Sequence, residues 1–426
     1  MQHPPLAIAA ARSLVVGMIL YGDVTNDSRV IREARSLASA GHHVVLACLA
    51  AGPATAAVLG PGVDVRVVPL RSDVARPGGE SPFLAGGGWR LGRLFAQAAW
   101  LVRYRANVRA WGRRAIAAVG EADVWHAHDF TGLLAIAGRL PQQVPVIYDS
   151  HELFADTGSA GHLPAPVRSL LVREERRLLR RVDAVVTVNP GLASVLAARY
   201  PPARPIVVRN CPPLADVAAR RDDQLRRAAG ILPDAAVVLF HGAITADRGI
   251  EQVAAVLERP EFRNVHLVLL GYGERRDAWH ERSRMGPLAG RVHVLDAVPP
   301  DVLVAWISSA DVAAVLQQPV DLNLRLSTPN KLFEAIAAGV PVLASDLPEI
   351  ARVVQGDPAG PLGELCDPRD EDAIAAALDR LLGLDPAARS ALRARCVIAA
   401  RERLNWEHEV AALLEVYATI SALPRR

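Results

Sequence analysis

The sequence predicts an α/β protein made of two Rossmann-like domains whose parallel sheets face a cleft between them. Three observations support this fold class. Short, continuously apolar runs alternate with helical patterns, as expected of strands that are covered on both faces. A proline-rich stretch at 200–214 interrupts the alternation, and a second, similar series follows it. The length of 426 residues also suits two domains.

The first series begins with the apolar run 13–21, which predicts a buried strand. Asp27 is the predicted N-cap of the helix that follows, and Gly41 is predicted to close that helix. Further strands are predicted at 43–50, 123–128, 144–150 and 183–188.

The second series predicts strands at 235–242, 264–273, 291–298, 311–316 and 339–346, with helices between them. The chain ends in a predicted helix at 367–383 and two more helices up to about Leu423. In open α/β sheets ligands bind beyond the carboxyl ends of the strands, so functional groups are expected at those ends.

Composition excludes several classes of protein. Lys plus Arg number 48 and Asp plus Glu 45, a balance too even for nucleic acid to be the main partner. The four cysteines lie far apart and form no CxxC pair, which favours a reducing cytoplasm over a disulfide framework or a cysteine-ligated zinc site. The first apolar run is too short to span a bilayer, and no cleavage site follows it, so we interpret it as a strand rather than a signal peptide.

The strongest motif is the segment 327–346. Thr328 is predicted to cap a helix with Pro329 at its first position, which places Lys331 and Glu334 one turn apart on one face. Lys331 is the only lysine in the chain. The free N–H groups at the helix start and Lys331 form a predicted phosphate site, and Glu334 is suited to a ribose diol. The alternative is an ordinary capped helix with a surface salt bridge.

Three further loops follow strands of the second series. Arg248 and Gly249 open a helix after the strand that ends near Gly242, and an arginine there can bind phosphate through two hydrogen bonds. The GxG at 271–273 is a weak signal, and backbone groups at 291–301 could read a base. The alternatives are a solvated arginine and a tight turn.

In the first series, Asp149, His151 and Glu152 are predicted just past a buried strand, where polar groups have no packing role. Alternation places His126 and His128 on one side of the preceding strand, so a metal site has to be considered. No third ligand is apparent in the sequence, and we predict no metal. The acidic run 370–372 is interpreted as a helix cap rather than as a metal-binding DxD.

The stretch 89–114 is rich in arginine and tryptophan and contains no acidic residue. We interpret it as a domain helix with a solvated arginine face. The alternative is peripheral contact with an anionic membrane.

These motifs resemble glycosyltransferase family 4, the group 1 glycosyltransferases, which are retaining enzymes of the GT-B fold. The resemblance covers nearly the whole chain, and it is carried by NDSRVIREARSLASAGHHV (26–44), HAHD (126–129), YDSHELF (148–154), HGAITADRG (241–249), LLGYGE (269–274) and PNKLFEAIAAGVPVLASD (329–346). It implies an acceptor-binding domain at 1–205, a nucleotide-sugar-binding domain at 206–400, and a final helix at 401–426 that packs back on the first domain.

The resemblance also implies roles for individual residues. Glu334 would hold the nucleotide ribose, Arg248 and Lys331 the diphosphate, and His151 would lie beside the donor sugar. The other implied donor contacts are Gly22, Gly242, Gly271, Tyr272, Gly273, Val294, Ser327, Thr328 and Asn330. The predicted acceptor contacts are His128 and the acidic loop residues Asp23, Asp27 and Asp129, which would suit a soluble cationic acceptor such as an aminocyclitol. Two departures from the family pattern are Leu326, where a first glutamate is usual, and Ala243, where an arginine is usual; Lys331 is placed to replace that arginine's charge.

The sequence therefore predicts a cytoplasmic retaining glycosyltransferase without cofactor or metal. It would move a sugar from a nucleoside diphosphate donor, predicted to be a UDP-hexose or UDP-N-acetylhexosamine, to a hydroxyl of a small molecule in natural-product or cell-envelope glycan biosynthesis. The alternatives are an epimerase of the same architecture, and a transferase at the inner membrane face that acts on a lipid-linked acceptor. A non-catalytic membrane-binding protein is disfavoured by the complete phosphate and ribose constellation. A nicotinamide dehydrogenase is disfavoured because no GxGxxG follows the first strand.

Overall fold

The computed structural model describes residues 12–70, 90–161, 163–217 and 221–422. The chain divides into two compact units, one formed by 1–208 with 410–426 and the other by 209–409. Each unit contains one sheet, and every strand pairing in both sheets is parallel. The predicted α/β class with two parallel sheets is therefore confirmed.

The first unit has a seven-stranded sheet in the order β3-β2-β1-β4-β5-β6-β7. Its strands are β1 (Val15–Asp23), β2 (His43–Ala50), β3 (Val63–Val67), β4 (Val124–His128), β5 (Val146–Ser150), β6 (Ala184–Thr187) and β7 (Ile206–Val207). Its helices before the unit boundary are α1 (Ser28–Ser39), α2 (Thr55–Leu59), α3 (Arg90–Val119), α4 (Asp129–Ile136), α5 (Gly158–Gly161), α6 (Ala165–Leu179) and α7 (Pro190–Arg199). The order reverses between β1 and β4, which is the switch point of a doubly wound sheet.

The second unit repeats this arrangement with six strands in the order β10-β9-β8-β11-β12-β13. Its strands are β8 (Ala236–Ala243), β9 (Val265–Tyr272), β10 (Val292–Asp296), β11 (Val312–Val315), β12 (Val342–Ser345) and β13 (Gly363–Cys366). The remaining helices are α8 (Gln224–Ala229), α9 (Ile250–Leu257), α10 (Arg276–Arg282), α11 (Pro300–Ile307), α12 (Leu322–Leu326), α13 (Asn330–Ala337), α14 (Pro348–Val354), α15 (Glu371–Leu382), α16 (Pro386–Glu402) and α17 (Trp406–Ser421).

The ten predicted strands are all present, and three further strands were missed. The missed strands β3, β7 and β13 lie at sheet edges. An edge strand is only partly covered, so β3 alternates apolar and charged residues and β7 has just two residues, the first of them exposed. A search for continuously apolar runs therefore finds central strands and passes over these edges.

Two predicted caps are confirmed at the level of single hydrogen bonds. The Asp27 carboxylate accepts a hydrogen bond from the backbone N–H of Val30 at the start of α1. Asp370 accepts from the N–H groups of Asp372 and Ala373 at the start of α15, so the acidic run 370–372 does cap a helix. Among the helices in the described ranges, none combines the length and apolar character needed to cross a bilayer.

Candidate functional site

The start of α13 is the centre of the candidate site in the second unit. The helix begins at Asn330 and Pro329 is its N-cap, with an extended backbone and no capping side chain. The prediction that Thr328 is the cap and Pro329 the first helical residue is thus wrong by one position. The N–H groups of the first turn of a helix point out of its end, and the Pro329 cap offers no side-chain acceptor to them. This end is electropositive and suits an anion.

Lys331 lies in the first turn of α13 with its side chain partly buried. Its Nζ lies 3.6 Å from the centroid of the Phe240 ring, which is a close cation–π contact. Burial and the neighbouring Arg248 lower the pKa of Lys331 to about 7, and Glu334 only partly offsets this. Within the described residues no carboxylate lies within ion-pair distance of Lys331. An anionic ligand would therefore meet an amine that no described carboxylate pairs with, and it would favour the protonated form of that amine.

Glu334 lies one turn further along α13, as predicted. Its Oε2 is 3.0 Å from Nε2 of His241, which is buried at the end of β8. The Glu334 carboxylate keeps about a sixth of its surface exposed (16%), so it is oriented on one side and accessible on the other. A carboxylate held in this way can accept hydrogen bonds from a ligand diol.

Among the described residues, the hydrogen-bond partners of the Arg248 side chain are neutral groups. Its Nε donates to Thr245 Oγ1 at 3.3 Å, and its Nη1 donates to Oε1 of Gln317, also at 3.3 Å. Gln317 Nε2 in turn donates to the hydroxyl of Ser327 and, at 2.6 Å, to the carbonyl of Leu324. Burial lowers the pKa of Arg248, with Asp247 and Asp321 opposing that effect. The guanidinium is thus oriented by this network while its charge is not cancelled within it.

Close backbone approach explains the glycines near this site. A Cβ on Gly271 would lie 1.9 Å from the carbonyl oxygen of Gly242, its partner across β8 and β9. Gly242 and Gly273 have φ of 101° and 137°, values that favour glycine, and the Tyr272 side chain beside them is exposed. Val294 lies in the middle of β10 and packs against the core, so only its backbone remains for the predicted base contact.

Three further predicted binding residues are Asn330 in the second unit and Gly22 and Asp23 in the first. Asn330 Oδ1 accepts a hydrogen bond from Asn210 Nδ2 at 3.0 Å. Gly22 lies inside β1, not after it, so the predicted strand end was two residues early. The carboxylate of Asp23 accepts hydrogen bonds from the backbone N–H and the hydroxyl of Thr25. Asp23 thereby caps a short 3₁₀ turn.

His151 is the centre of a charged cluster in the first unit. Its Nε2 lies 2.9 Å from Asp149 Oδ2, and its Nδ1 lies 3.3 Å from Asp129 Oδ2. Asp129 has a left-handed backbone, with φ of 58°, and its carboxylate also accepts from the N–H of His151 at 2.9 Å. Burial lowers the pKa of His151, but Asp129 and Asp149 outweigh it and raise that pKa to about 10. His151 is therefore a cation at neutral pH.

Asp149 is a residue of β5 and is fully buried, so the prediction that it lies past the strand is wrong. Its two carboxylate oxygens accept from Nε and Nη2 of Arg29 at 2.7 and 2.8 Å. Arg29 also donates to the carbonyl of Val208 at 2.6 Å. Burial would raise the pKa of Asp149, yet Arg29 and His151 hold it well below its usual range. At the end of β5, the ion pair between Arg29 and Asp149 thus fixes the carboxylate that hydrogen-bonds to His151.

The predicted histidine pair does share one side of β4. The rings of His126 and His128 stack with centroids 4.5 Å apart, and both side chains are fully buried. Burial lowers the pKa of each, so both are neutral. Glu33 of α1 lies against them, with Oε2 3.6 Å from Nε2 of His126. The sequence had shown no third ligand-type residue here, and the fold supplies Glu33 and Asp149.

The basic stretch packs largely against its own unit. In α3 the side chains of Leu101, Val108 and Trp111 are buried, and the Trp111 indole donates to the carbonyl of Val68 at 2.6 Å. Arg105 pairs with Glu174 of α6. The apolar side of the described part of α3 is thus used in folding, as the domain-helix interpretation expects; Trp89 lies outside the described residues.

Four residues that contact groups of the two candidate sites were not singled out from the sequence: Arg29, Glu33, His241 and Gln317. Arg29 and Glu33 carried one signal, since a charged pair spaced by four residues on the buried face of α1 is unusual. His241 lies near the end of the buried strand β8, and Gln317 follows the buried strand β11. A buried polar side chain at such a position needs a hydrogen-bond partner. Which partner each one finds depends on neighbouring strands and is not encoded locally.

Comparison of the whole fold with solved structures identifies its class. Sucrose-phosphate synthase of Thermosynechococcus elongatus superposes with a TM-score of 0.71 at 17% identity, covering 96% of this chain and 100% of that one. The Anabaena protein HepE, solved in complex with UDP and glucose, gives 0.67 at 15% identity with 96% and 100% coverage. The chain therefore has the GT-B fold of glycosyltransferases.

Sequence comparison then defines the family. Residues 28–211 match the family model of the glycosyl transferase 4-like domain, and residues 235–383 match that of the glycosyl transferases of group 1. A D-inositol 3-phosphate glycosyltransferase of Xylanimonas cellulosilytica is 30% identical over 320 residues, covering 70% of this chain and 72% of its own. A glycogen synthase of Mycobacterium tuberculosis is 28% identical over 309 residues, with 69% and 68% coverage. The chain belongs to the group 1 glycosyltransferases of family 4.

Proposed function

We propose that this glycosyltransferase moves a sugar from a UDP-linked donor to a hydroxyl of a small polar acceptor, with retention at the anomeric carbon and without a catalytic divalent metal. The observation that carries the proposal is the pair Lys331 and Arg248, two partly buried cations beside a helix N-terminus with no carboxylate paired to either among the described residues. Such a site is built for a diphosphate.

The chemistry asks mainly for stabilisation of the departing diphosphate. Lys331, Arg248 and the first-turn N–H groups of α13 are fixed before the ligand arrives, so they need no reorganisation as charge develops on the leaving group. Three fixed positive groups take the place that a divalent cation has in other nucleotide-sugar enzymes. Glu334, oriented by His241, accepts from the ribose hydroxyls.

His151 acts on the sugar side of the reaction. Because Asp129 and Asp149 keep it protonated, it serves as a hydrogen-bond donor and a positive charge rather than as a general base. UDP as the donor nucleotide is supported by the fold likeness to HepE, which was solved with UDP and glucose. A cyclitol-like acceptor is supported by the relationship to the D-inositol 3-phosphate glycosyltransferases.

The test is a transfer assay with UDP-, GDP- and dTDP-sugars and polyol acceptors, with product stereochemistry read by NMR. We expect turnover with one UDP-sugar, an α-product from an α-donor, and no rate increase on addition of Mg²⁺ or Mn²⁺. Consumption of the donor to a new nucleotide sugar without acceptor would instead identify an epimerase. An inverted product, or a strict requirement for Mg²⁺, would refute the mechanism.

A further inference from the structure

One face of α6 lines a cavity of about 350 Å³ in the first unit, which we call the α6 groove. The 3₁₀ turn Phe154–Asp156 and the end of α7 contribute its other wall. Sites for small molecules have volumes of about 300–1,000 Å³, so the groove is large enough for a compact ligand. Its charged lining residues are Asp156 and four arginines, Arg168, Arg173, Arg176 and Arg199.

The helical period explains why two of these arginines flank the groove. The lining residues of α6 share one face of the helix, at positions 165, 168, 169, 172, 173 and 176. At about 3.6 residues per turn, Arg168 and Arg173 stand at the two edges of that face, with Ala165 and Ser169 between them. The groove therefore has a floor of small side chains with a guanidinium on each side.

The two glutamates of α6 are turned away from the groove. Glu174 pairs with Arg105 of α3. Glu175 is buried, and its carboxylate accepts hydrogen bonds from the hydroxyls of Tyr148, at 2.7 Å, and Tyr200. Neither carboxylate is therefore available to the arginines of the groove, although both lie next to those arginines in the sequence.

The other wall of the groove neutralises only one of the four arginines. Arg199 forms an ion pair with Asp156. Arg176 donates from Nε and Nη2 to the backbone carbonyl of Arg199, at 2.9 and 2.6 Å, and a carbonyl does not cancel its charge. Among the described residues, neither Arg168 nor Arg173 has a carboxylate within ion-pair distance.

The charge of the lining calls for an anion. Four positive charges and one negative charge give the groove a net charge of +3. Guanidinium groups gathered around one concave surface repel each other, and an anion that enters between them relieves this repulsion. Arginine binds phosphate oxygens through two parallel hydrogen bonds. A ligand with at least two negative charges on phosphate oxygens therefore matches both the charge and the donors.

The start of α6 adds to the same field. Ala165, the first residue of this 15-residue helix, lines the groove, so the helix start borders it. The N-cap Pro164 has no side-chain acceptor for the N–H groups of the first turn. An uncapped helix start carries a positive partial charge and favours a neighbouring anion.

We propose that the α6 groove binds a small phosphorylated molecule, such as a diphosphate or a phosphate ester, with Arg168 and Arg173 holding its phosphate oxygens from both sides. The arginines line a cavity rather than a flat face, which favours a small molecule over a membrane surface. An occupant of the groove contacts α6, α7 and the turn that follows His151, and so ties these elements together. This site is separate from the proposed diphosphate site at α13 and does not depend on it.

The test is titration calorimetry with pyrophosphate in the absence of metal. Because pyrophosphate is also expected at α13, the titration uses Lys331→Ala, with and without the added pair Arg168→Gln and Arg173→Gln. We expect Lys331→Ala to retain a pyrophosphate site and the added pair to weaken it at least about tenfold, because hydrogen bonds between charged groups are lost. Equal binding with and without the added pair would overturn the proposal. Failure of the α13 site would appear instead as no difference between the wild type and Lys331→Ala.

A matched pair of substitutions separates the groove from the overall charge of α6. Arg177→Gln with Arg180→Gln removes two charges at the C-terminal end of the same helix, at positions that do not line the groove. We expect this pair to weaken pyrophosphate binding by less than about threefold, because salt screens charges beyond about 10 Å. Equal losses in the two pairs would refute a defined site.

Hydrogen exchange on the wild type locates the ligand even if these variants are unstable. Pyrophosphate should slow amide exchange at 163–176, and absence of protection there would contradict the proposal. Vesicles that contain phosphatidylglycerol test a membrane surface as the partner instead. Vesicle binding that requires Arg168 and Arg173, without binding of pyrophosphate in solution, would overturn the proposal.

Discussion

The His151 cluster of the first unit and the α13 site of the second unit place their charged groups in opposite ways. In the first unit the charges of the His151 cluster are matched internally: Arg29 by Asp149, and His151 by Asp129 and Asp149. In the second unit Lys331 and Arg248 contact a ring, a hydroxyl and an amide, and the Glu334 carboxylate is oriented toward His241. The first arrangement fixes the His151 side chain in place, whereas the second leaves Lys331 and Arg248 without a paired carboxylate among the described residues and so available to an anionic ligand. Charged groups that are fixed by internal partners and charged groups that remain open to a ligand are thus built differently at the two candidate sites.

The largest effect is expected when the buried ion pair between Arg29 and Asp149 of the first unit is broken. Arg29→Gln removes the guanidinium that pairs with both oxygens of the buried Asp149 carboxylate and leaves His151 as the cation beside it; loss of one partner of a buried pair costs about 3–5 kcal/mol. We expect that decrease in the free energy of unfolding, measured by urea denaturation, with little change in UDP affinity. Arg66→Gln, which breaks an ion pair with Asp64 in which both side chains are nearly half exposed, is the control. A change below about 1 kcal/mol for Arg29→Gln would show that the pair is not the stabilising element described here.

The next largest effect addresses the unpaired cations of the second unit. Lys331→Ala is expected to lower kcat/KM by about 10²–10³, or about 2.7–4 kcal/mol, because it removes a fixed positive group from the leaving diphosphate. Lys331→Arg should rescue only part of this, since a planar guanidinium does not occupy the place of the ammonium over the Phe240 ring in the same way. Near-normal turnover of Lys331→Ala would show that this cation is not part of the reaction.

The pH dependence of binding sharpens the same point. Below about pH 7 Lys331 is already protonated, so this residue should cause no change of UDP affinity with pH in that range. Above its pKa of about 7 in the free protein, binding must take up a proton, and affinity should fall by up to tenfold per pH unit. The range above about pH 7.5 avoids the titration of the phosphate itself. Calorimetry from about pH 7.5 to about pH 9 measures this, and in Lys331→Arg the slope should disappear; a slope that persists there belongs to another group.

The smallest effect is expected from a substitution where β8 and β9 approach closely beside the α13 site. Gly271→Ala places a methyl group 1.9 Å from the Gly242 carbonyl, so the strands must separate. We expect a loss of about 1–3 kcal/mol in the free energy of unfolding. Gly290→Ala is a control for surface turns, since a methyl group there would meet nothing within 4 Å, although its φ of 72° carries a small penalty of its own. Equal effects at both positions would mean that backbone conformation alone is responsible.

Much of the fold and part of the site followed from local sequence. Central strands such as β2 and β9 are continuous apolar runs because both faces are covered, and Asp27 and Asp370 capped the helices that their positions predicted. The edge strand β3 was missed because half of it faces solvent. Motif spacing correctly placed Lys331 and Glu334 on one short helix.

What could not be predicted were contacts made across the sheet. Asp149 meets Arg29 from a helix 120 positions earlier in the chain, and Glu33 meets His126 across a similar distance. The choice of His241 as the partner of Glu334 depends on how β8 lies against α13. Sequence motifs identify the groups that carry chemistry, whereas the partners that set their charge and orientation appear only when distant strands are assembled.

The most direct test of the account compares UDP with uridine by titration calorimetry on the wild type and on Lys331→Ala, in the absence of metal. If Lys331 and Arg248 hold the diphosphate, UDP should bind the wild type far more tightly than uridine does, and most of that difference should be lost in Lys331→Ala. Equal affinities of UDP and uridine for the wild type, or a difference that Lys331→Ala leaves unchanged, would contradict the central claim that the second unit reserves these cations for a nucleoside diphosphate.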